Sequence, residues 1–243
     1  MTGVVLGGGV GVSAHGSHRV VTETTKLGMP EVTIGFVPDV GGTRLLARAP
    51  GELGTHLALT GGTMTGADAI ALDLADWYVP SVALPALLDD LERMPAADAI
   101  ARHASAVPAS DLLTQRAWVD EAYAGDESVV IVERLESSPL AEARAAASVI
   151  RGKSPTSVAV ALEALRRAVR LDTLEEVLDQ EYRVGLRMLA GADMREGIRA
   201  QVIDKDRTPR WRPPTLEEVD RADVLRYFEP LGERELGLAT RPA

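Results

Sequence analysis

The apolar positions of residues 1–80 come in two alternating rhythms. Val4-Val5-Leu6 is a short continuous run that breaks into glycines, and "RVVTETT" (19–25) is rich in β-branched residues; both predict strands, with a short helix at about 10–18 between them. "GGTRLLARAPG" predicts a helix stopped by Pro50 and Gly51, "ELGTHLALTGG" another, and "TGADAIALDLADWYV" a helix leading into a strand. Strand and helix thus alternate, which marks an α/β arrangement. From Leu84 onward the rhythm is helical. Residues 84–107 are alanine-rich with breaks at Pro95 and Pro108, and "LLTQRAWVDEAYA", "VVIVERLESS" and "LAEARAAASVIRG" are amphipathic. "KSPTSVAVALEALRRAVRL" opens on Ser154 as N-cap and Pro155 at the first helical position. In "TLEEVLDQEYRVGLRMLAG", Leu174, Leu178, Tyr182 and Leu189 recur at near-helical spacing and Gly191 marks the stop. The proline-rich, charged stretch from Ile203 to Gly232 reads as irregular. The division this suggests is an α/β part over 1–83 and a mainly helical part over 84–243.

Composition narrows the function more than the fold. With 46% hydrophobic residues among 243, the chain can fill a core, and with 4% aromatics that core is aliphatic. The 26 basic against 36 acidic residues give −10, which argues against a nucleic-acid partner. No run approaches the ~20 apolar residues of a membrane span. The glycine-rich start lacks the positive n-region of a signal peptide, so the expected location is cytoplasmic. There is no cysteine, which removes disulfides, thiolate metal sites and a cysteine nucleophile. His15 and His18 share a helical face but have no acidic third ligand nearby, so no metal is expected.

"LGGGVGVSA" (6–14) can be read in several ways. Gly9 to Ala14 fits the dinucleotide pattern G-x-G-x-x-A, with Glu31 downstream as the acid. The following helix is too short, however, and Glu31 lies beyond the next strand behind a proline. Ser13 as a nucleophile elbow fails the second glycine of G-x-S-x-G. An oxyanion site fits better, because glycines at a strand-to-helix turn free backbone N–H groups to face a developing negative charge. A plain tight turn explains the same glycines.

"KLGMPEVTIGFVPDVGG" (26–42) adds two carboxylates, each directly after a proline in an apolar segment. Acids in such surroundings are costly to bury without a use. Extended at ~3.3 Å per residue, Glu31 and Asp39 would stand about 26 Å apart; Gly35 and Pro38 give the chain places to bend, so both could line one cleft. Asp39 could equally be an N-cap for the helix after Gly41-Gly42.

Taken together, "LGGGVGVSAHGSHRVVTETTKLGMPEVTIGFVPDVGGTRLLAR" resembles the crotonase (enoyl-CoA hydratase/isomerase) superfamily. The triple glycine followed by M-P-E-x-x-x-G-x-x-P-D-x-G-G resembles its 3-hydroxyisobutyryl-CoA hydrolase branch. "LTGGTMTGADAI", "SPTSVAVALEALRR", "LEEVLDQEYRV" and "ADMREGIRAQVIDKDRTPRWRP" resemble the same branch in the same order. The resemblance implies a crotonase-like spiral of ββα units followed by a helical region. It also implies hydrolysis of a short branched 3-hydroxyacyl-CoA thioester, with a place in valine catabolism. Acyl-CoA would be the partner, with coenzyme A entering only as part of the substrate and no separate cofactor; a homo-oligomer is left open. Gly8 would donate an oxyanion N–H, Glu31 would be base or nucleophile, and Asp39 would contact the substrate, with Gly7 and Gly8 both at the substrate. The hydratase branch carries a second glutamate three residues after the oxyanion glycine, where this chain has Gly11, so hydration is disfavoured.

One departure stands out. Members of the branch carry a long segment before the glycine turn, including the loop that gives the second oxyanion N–H. The expectation is therefore weak turnover, or a non-catalytic role, for residues 1–243 alone, with strand edges open. In "IDKDRTPRWRP", Lys205, Arg207, Arg210 and Arg212 around Trp211 could meet coenzyme A phosphates, or Trp211 could simply pack the tail onto the body.

Overall fold

The structure is a computed structural model that describes residues 1–240. Five short strands occur, β1 (Val4–Leu6), β2 (Val20–Val21), β3 (Lys26–Gly28), β4 (Thr63–Thr65) and β5 (Trp77–Tyr78). The helices of the first eighty residues are α1 (Gly8–Ser13), α2 (Gly42–Ala47), α3 (Leu53–Thr60) and α4 (Gly66–Ala71). Ten more follow: α5 (Leu84–Leu91), α6 (Ala96–His103), α7 (Asp111–Thr114), α8 (Arg116–Ala122), α9 (Ser128–Ser137), α10 (Ala141–Arg151), α11 (Pro155–Ala168), α12 (Leu174–Ala190), α13 (Ala192–Ile198) and α14 (Arg221–Arg226). One sheet has the order β1-β3-β4, with β1 parallel and β4 antiparallel to β3, and β2 pairs β5 in parallel. Among the described residues no helix is long and apolar enough to cross a membrane.

The strand expected over residues 19–25 is split. Val20–Val21 pairs with β5, and a threonine turn in which Thr22 N–H donates to Thr25 Oγ1 at 2.9 Å redirects the chain into β3. Hydroxyl-rich residues close such turns through their own backbone. The stretch read as irregular after Ile203 contains α14, capped by Asp220, whose carboxylate accepts the Ala222 N–H at 2.7 Å. Its Trp211 packs on the body, donating its indole N–H to the Gly152 carbonyl at 3.1 Å, so the tail is tied down rather than free.

Ser154 caps α11 as the sequence suggests, accepting the Ser157 N–H at 3.1 Å. The leucine stripe of α12 marks the helix but not its buried face. Leu189 is 57% exposed, whereas Val177, Glu181, Val184 and Met188 are buried. The principal core joins both parts of the chain, since Val10, Leu27, Val32 and Leu46 pack in one cluster with Ile131, Ile150, Leu162 and Val184. A smaller cluster holds Val79, Leu87, Ala99 and Ile100. β1 is an edge strand, and Val4 is 72% exposed there.

Candidate active site

Two turns meet at the site, each leaving one end of the β1–β3 pair. The first follows β1. Gly7 adopts φ 53° and ψ −118°, a conformation essentially confined to glycine, and its N–H donates to the Gly28 carbonyl of β3 at 3.0 Å. Its carbonyl accepts the N–H groups of Val10 and Gly11, which winds α1. Gly8 and Gly9 occupy the first helical positions, where no carbonyl of the helix can reach their N–H groups. Gly8 is exposed and Val10 fully buried, so the glycine turn lies at the surface while the helix anchors inward.

The second turn follows β3. Pro30 ends the strand because it has no N–H for the ladder, and residues Glu31–Ile34 wind a 3-10 turn closed by Thr33 N–H to the Pro30 carbonyl at 2.9 Å. Gly35 ends it at φ 73°. A Cβ on Gly35 would strike the Asp193 backbone, and one on Gly197 would strike the Ile34 backbone. α13 can therefore lie directly on the turn. Lys153 Nζ donates to Thr33 Oγ1 at 2.8 Å from the other side.

Glu31 is consequently held in place and is 8% exposed. Its Oε1 lies 2.6 Å from where a Cβ on Gly7 would stand, so the carboxylate rests directly against the glycine turn. Its Oε2 is buried with no hydrogen-bond partner. Burial pushes the Glu31 carboxyl up to about 8 despite a bond from its own backbone, and the charges of Asp39 and Glu181 push the same way. A cavity of ≈ 200 Å³ opens beside it, lined by Pro30, Glu31, Thr33, Ile34 and Gln201. An unsatisfied buried oxygen next to a cavity is a polar group awaiting a partner.

Asp39 sits at the next bend and is half-buried, its carboxyl also raised by burial. It does not cap α2 with its side chain; its carbonyl instead accepts the Gly42 N–H at 2.7 Å. The capping carboxylate is Glu181 of α12, which accepts Gly41 N–H at 2.7 Å, Thr43 N–H at 3.0 Å and Thr43 Oγ1–H at 2.6 Å. Burial raises Glu181 to about 7, against the lowering effect of these bonds. Asp39 and Glu181 share the wall of a second cavity of ≈ 310 Å³, otherwise lined by apolar residues such as Phe36, Leu186 and Leu238.

The structure thus brings Gly7 and Glu31 into contact, with Gly8 adjoining; Asp39 is within electrostatic reach of Glu31, but the two acids line different cavities and not the one cleft expected. Sequence reasoning missed Glu181. The signal was available: it lies four residues after Val177 and three before Val184, so a charge sits on the apolar face of α12. Gly11, the position where a second glutamate would be needed for hydration, has no room for a side chain. A Cβ there would overlap Val40. Ser13 donates to the Gly9 carbonyl at 2.7 Å within its own helix, which is not the posture of a nucleophile.

Residues 1–228 match the model of the enoyl-CoA hydratase/isomerase family. The chain is 37% identical over 97% of its length to a mitochondrial 3-hydroxyisobutyryl-CoA hydrolase of Gallus gallus, and 36% identical over 96% to that of Homo sapiens. It spans 64% and 63% of those two relatives, just under two thirds of their length. Among solved structures, a carnitinyl-CoA dehydratase from Mycobacterium thermoresistibile is 49% identical with a TM-score of 0.92, covering 98% of this chain and 68% of that one. An enoyl-CoA hydratase from Rhodobacter sphaeroides is 42% identical with a TM-score of 0.90, covering 96% and 68%. The cytoplasmic location expected from the sequence is overturned by the hydrolase relatives, which are named as mitochondrial proteins. Composition misled here because a charged, span-free chain suits either compartment.

Proposed function

The chain belongs to the enoyl-CoA hydratase/isomerase family and has the crotonase fold, and from that premise we propose that it takes part in hydrolysing a short branched 3-hydroxyacyl-CoA thioester of the 3-hydroxyisobutyryl-CoA type. That substrate would give it a place in valine catabolism. The observation that carries this reading is the contact between Glu31 and the Gly7 turn, beside a cavity and with one carboxylate oxygen unpartnered.

The thioester carbonyl oxygen would rest on the Gly8 N–H, the carbonyl carbon facing Glu31. Ionised Glu31 would take a proton from water as the water oxygen bonds to that carbon, sending the carbonyl electrons onto the oxygen at Gly8. Collapse of the tetrahedral adduct re-forms the carbonyl and breaks the C–S bond, and the departing thiolate takes the proton from Glu31. Direct attack by Glu31 through a mixed anhydride is the covalent version of the same geometry. A base with a pKa of about 8 is close to the working pH, where proton transfer is most effective. Each oxyanion donor is worth roughly 10²–10³ in rate. Asp39 would hold the 3-hydroxyl of the acyl group or orient the water.

The names of the solved relatives favour a second reading, hydration or dehydration of an acyl-CoA. Gly11 speaks against it, since the second carboxylate that reaction would use has neither a side chain nor space. The deciding experiment supplies the purified protein with 3-hydroxyisobutyryl-CoA and with a 2-enoyl-CoA, recording free thiol release and loss of the enoyl absorbance. Thiol release that falls by at least about 10²-fold in Glu31→Gln is expected. Enoyl-CoA consumption without thiol release would replace the hydrolase with a hydratase. The same assay tests the expectation of weak turnover from residues 1–243 alone.

A further inference from the structure

The turn that carries Asp39 is strained. Val40 has φ 52° and Gly41 φ 80°, so two successive residues are left-handed, and the first is β-branched. A β-branched residue in that region is strained and persists only where its surroundings fix it. Two groups on different elements do so. From the end of α1, His15 Nε2 donates to the Val40 carbonyl at 2.9 Å, and the bare Cα of Gly11 leaves a seat for the Val40 side chain. From α12, Glu181 binds Gly41 and Thr43, the residues that follow Val40 and begin α2.

Glu181 is an unusual choice for a cap. It is 5% exposed and forms no ion pair among the described residues, so its charge rests on those three donors alone. Gly41 cannot carry a capping side chain of its own, because its φ is 80° and a Cβ there would strike His15 and Leu174, so the capping group has to come from another element. A carboxylate brought 140 positions along the chain does something a local cap cannot: it fixes where the turn stands relative to α12 and to the cavity wall that Glu181 and Asp39 share.

We propose that Glu181 is a positioning residue for Asp39, clamping the Asp39–Gly42 turn between α1 and α12 so that the Asp39 carboxylate keeps a fixed place relative to the glycine turn. The inference rests on the thioesterase reading for its kinetic consequence but not for its structural one.

The test is a double-mutant cycle with Glu181→Gln and Asp39→Asn. If Glu181 acts through Asp39, Glu181→Gln lowers kcat about 10–100-fold in the native background, as expected for a misplaced reacting group. In the Asp39→Asn background it lowers kcat by less than about twofold, because the group it positions is already disabled. Equal losses in both backgrounds would overturn the proposal and leave Glu181 a simple cap. If Glu181→Gln does not fold, Thr43→Val removes one of the three donors and enters the same cycle. A crystal structure of whichever variant folds is the arm that needs no activity. Val40 relaxing out of the left-handed region with Asp39 displaced supports the proposal, and an unchanged turn overturns it even if the protein hydrolyses no thioester. Absence of thiol release from the unmutated protein would instead remove the hydrolase reading, and the crystal structure would then decide the role of Glu181 by itself.

Discussion

Replacing Glu31 by Gln should make the protein more stable at mildly alkaline pH while disabling it. The buried carboxyl titrates at about 8 in the fold against 4.5 for the free side chain. The folded state therefore holds a proton that the unfolded chain has already released between those values, and stability must fall as pH rises through that window. One fully retained proton is worth about 1.4 kcal/mol per pH unit, so from pH 5 to 8 the native protein should lose about 4 kcal/mol on this account. The amide of Gln is neutral throughout and escapes that loss. Other titrating groups, Glu181 among them, remain in both proteins and largely cancel in the difference. With a urea m-value of about 3 kcal/mol/M, the two unfolding midpoints should coincide near pH 5 and separate by about 1.3 M at pH 8, the variant being the more resistant. Urea titrations followed by tryptophan fluorescence at each pH measure this directly. Midpoints that move in parallel from pH 5 to 8 would mean that Glu31 is ionised in the fold like any surface acid, and the case for a buried, poised base would fail.

The kinetic counterpart is an acid limb: kcat/KM should climb about tenfold per pH unit below 8 and then level, and a profile already flat from pH 5 would exclude Glu31 as the titrating base. Gly7→Ala forces a methyl group into φ 53°, ψ −118° and against Glu31 Oε1 at 2.6 Å; a loss of at least about 2 kcal/mol is expected in thermal or urea unfolding, with turnover falling alongside. Gly11→Glu should cost about 1–3 kcal/mol through overlap with Val40 and confer no hydration of enoyl-CoA, and a stable variant that hydrates would show that the position was never closed.

Much of the site could be read from residue order. Triple glycine after an apolar run announces a turn with free amides, and Pro30 and Gly35 bracket a bend that the structure winds as a 3-10 turn. The carboxylates looked far apart only while the segment was treated as extended. What could not be read was anything decided by backbone-to-backbone approach. Gly197 against Ile34 and Gly11 against Val40 are contacts between segments whose local patterns say nothing about each other. Glu181 hid for a related reason: the visible leucine stripe of α12 lies toward a cavity and solvent, while the acid stands where that cavity meets the buried face of Val177 and Val184. Short strands were hard to delimit because two or three residues carry too little alternation to show a period.

The seat of α13 on the Glu31 turn has a consequence for how this protein can change over generations. With Gly35 and Gly197 each leaving bare the space that the opposite main chain occupies, neither segment can drift without the other. Residues near the two ends of the chain should covary, and a cut or fusion placed between them should behave as a lesion in one cooperative body, not as the separation of an enzyme from an accessory tail.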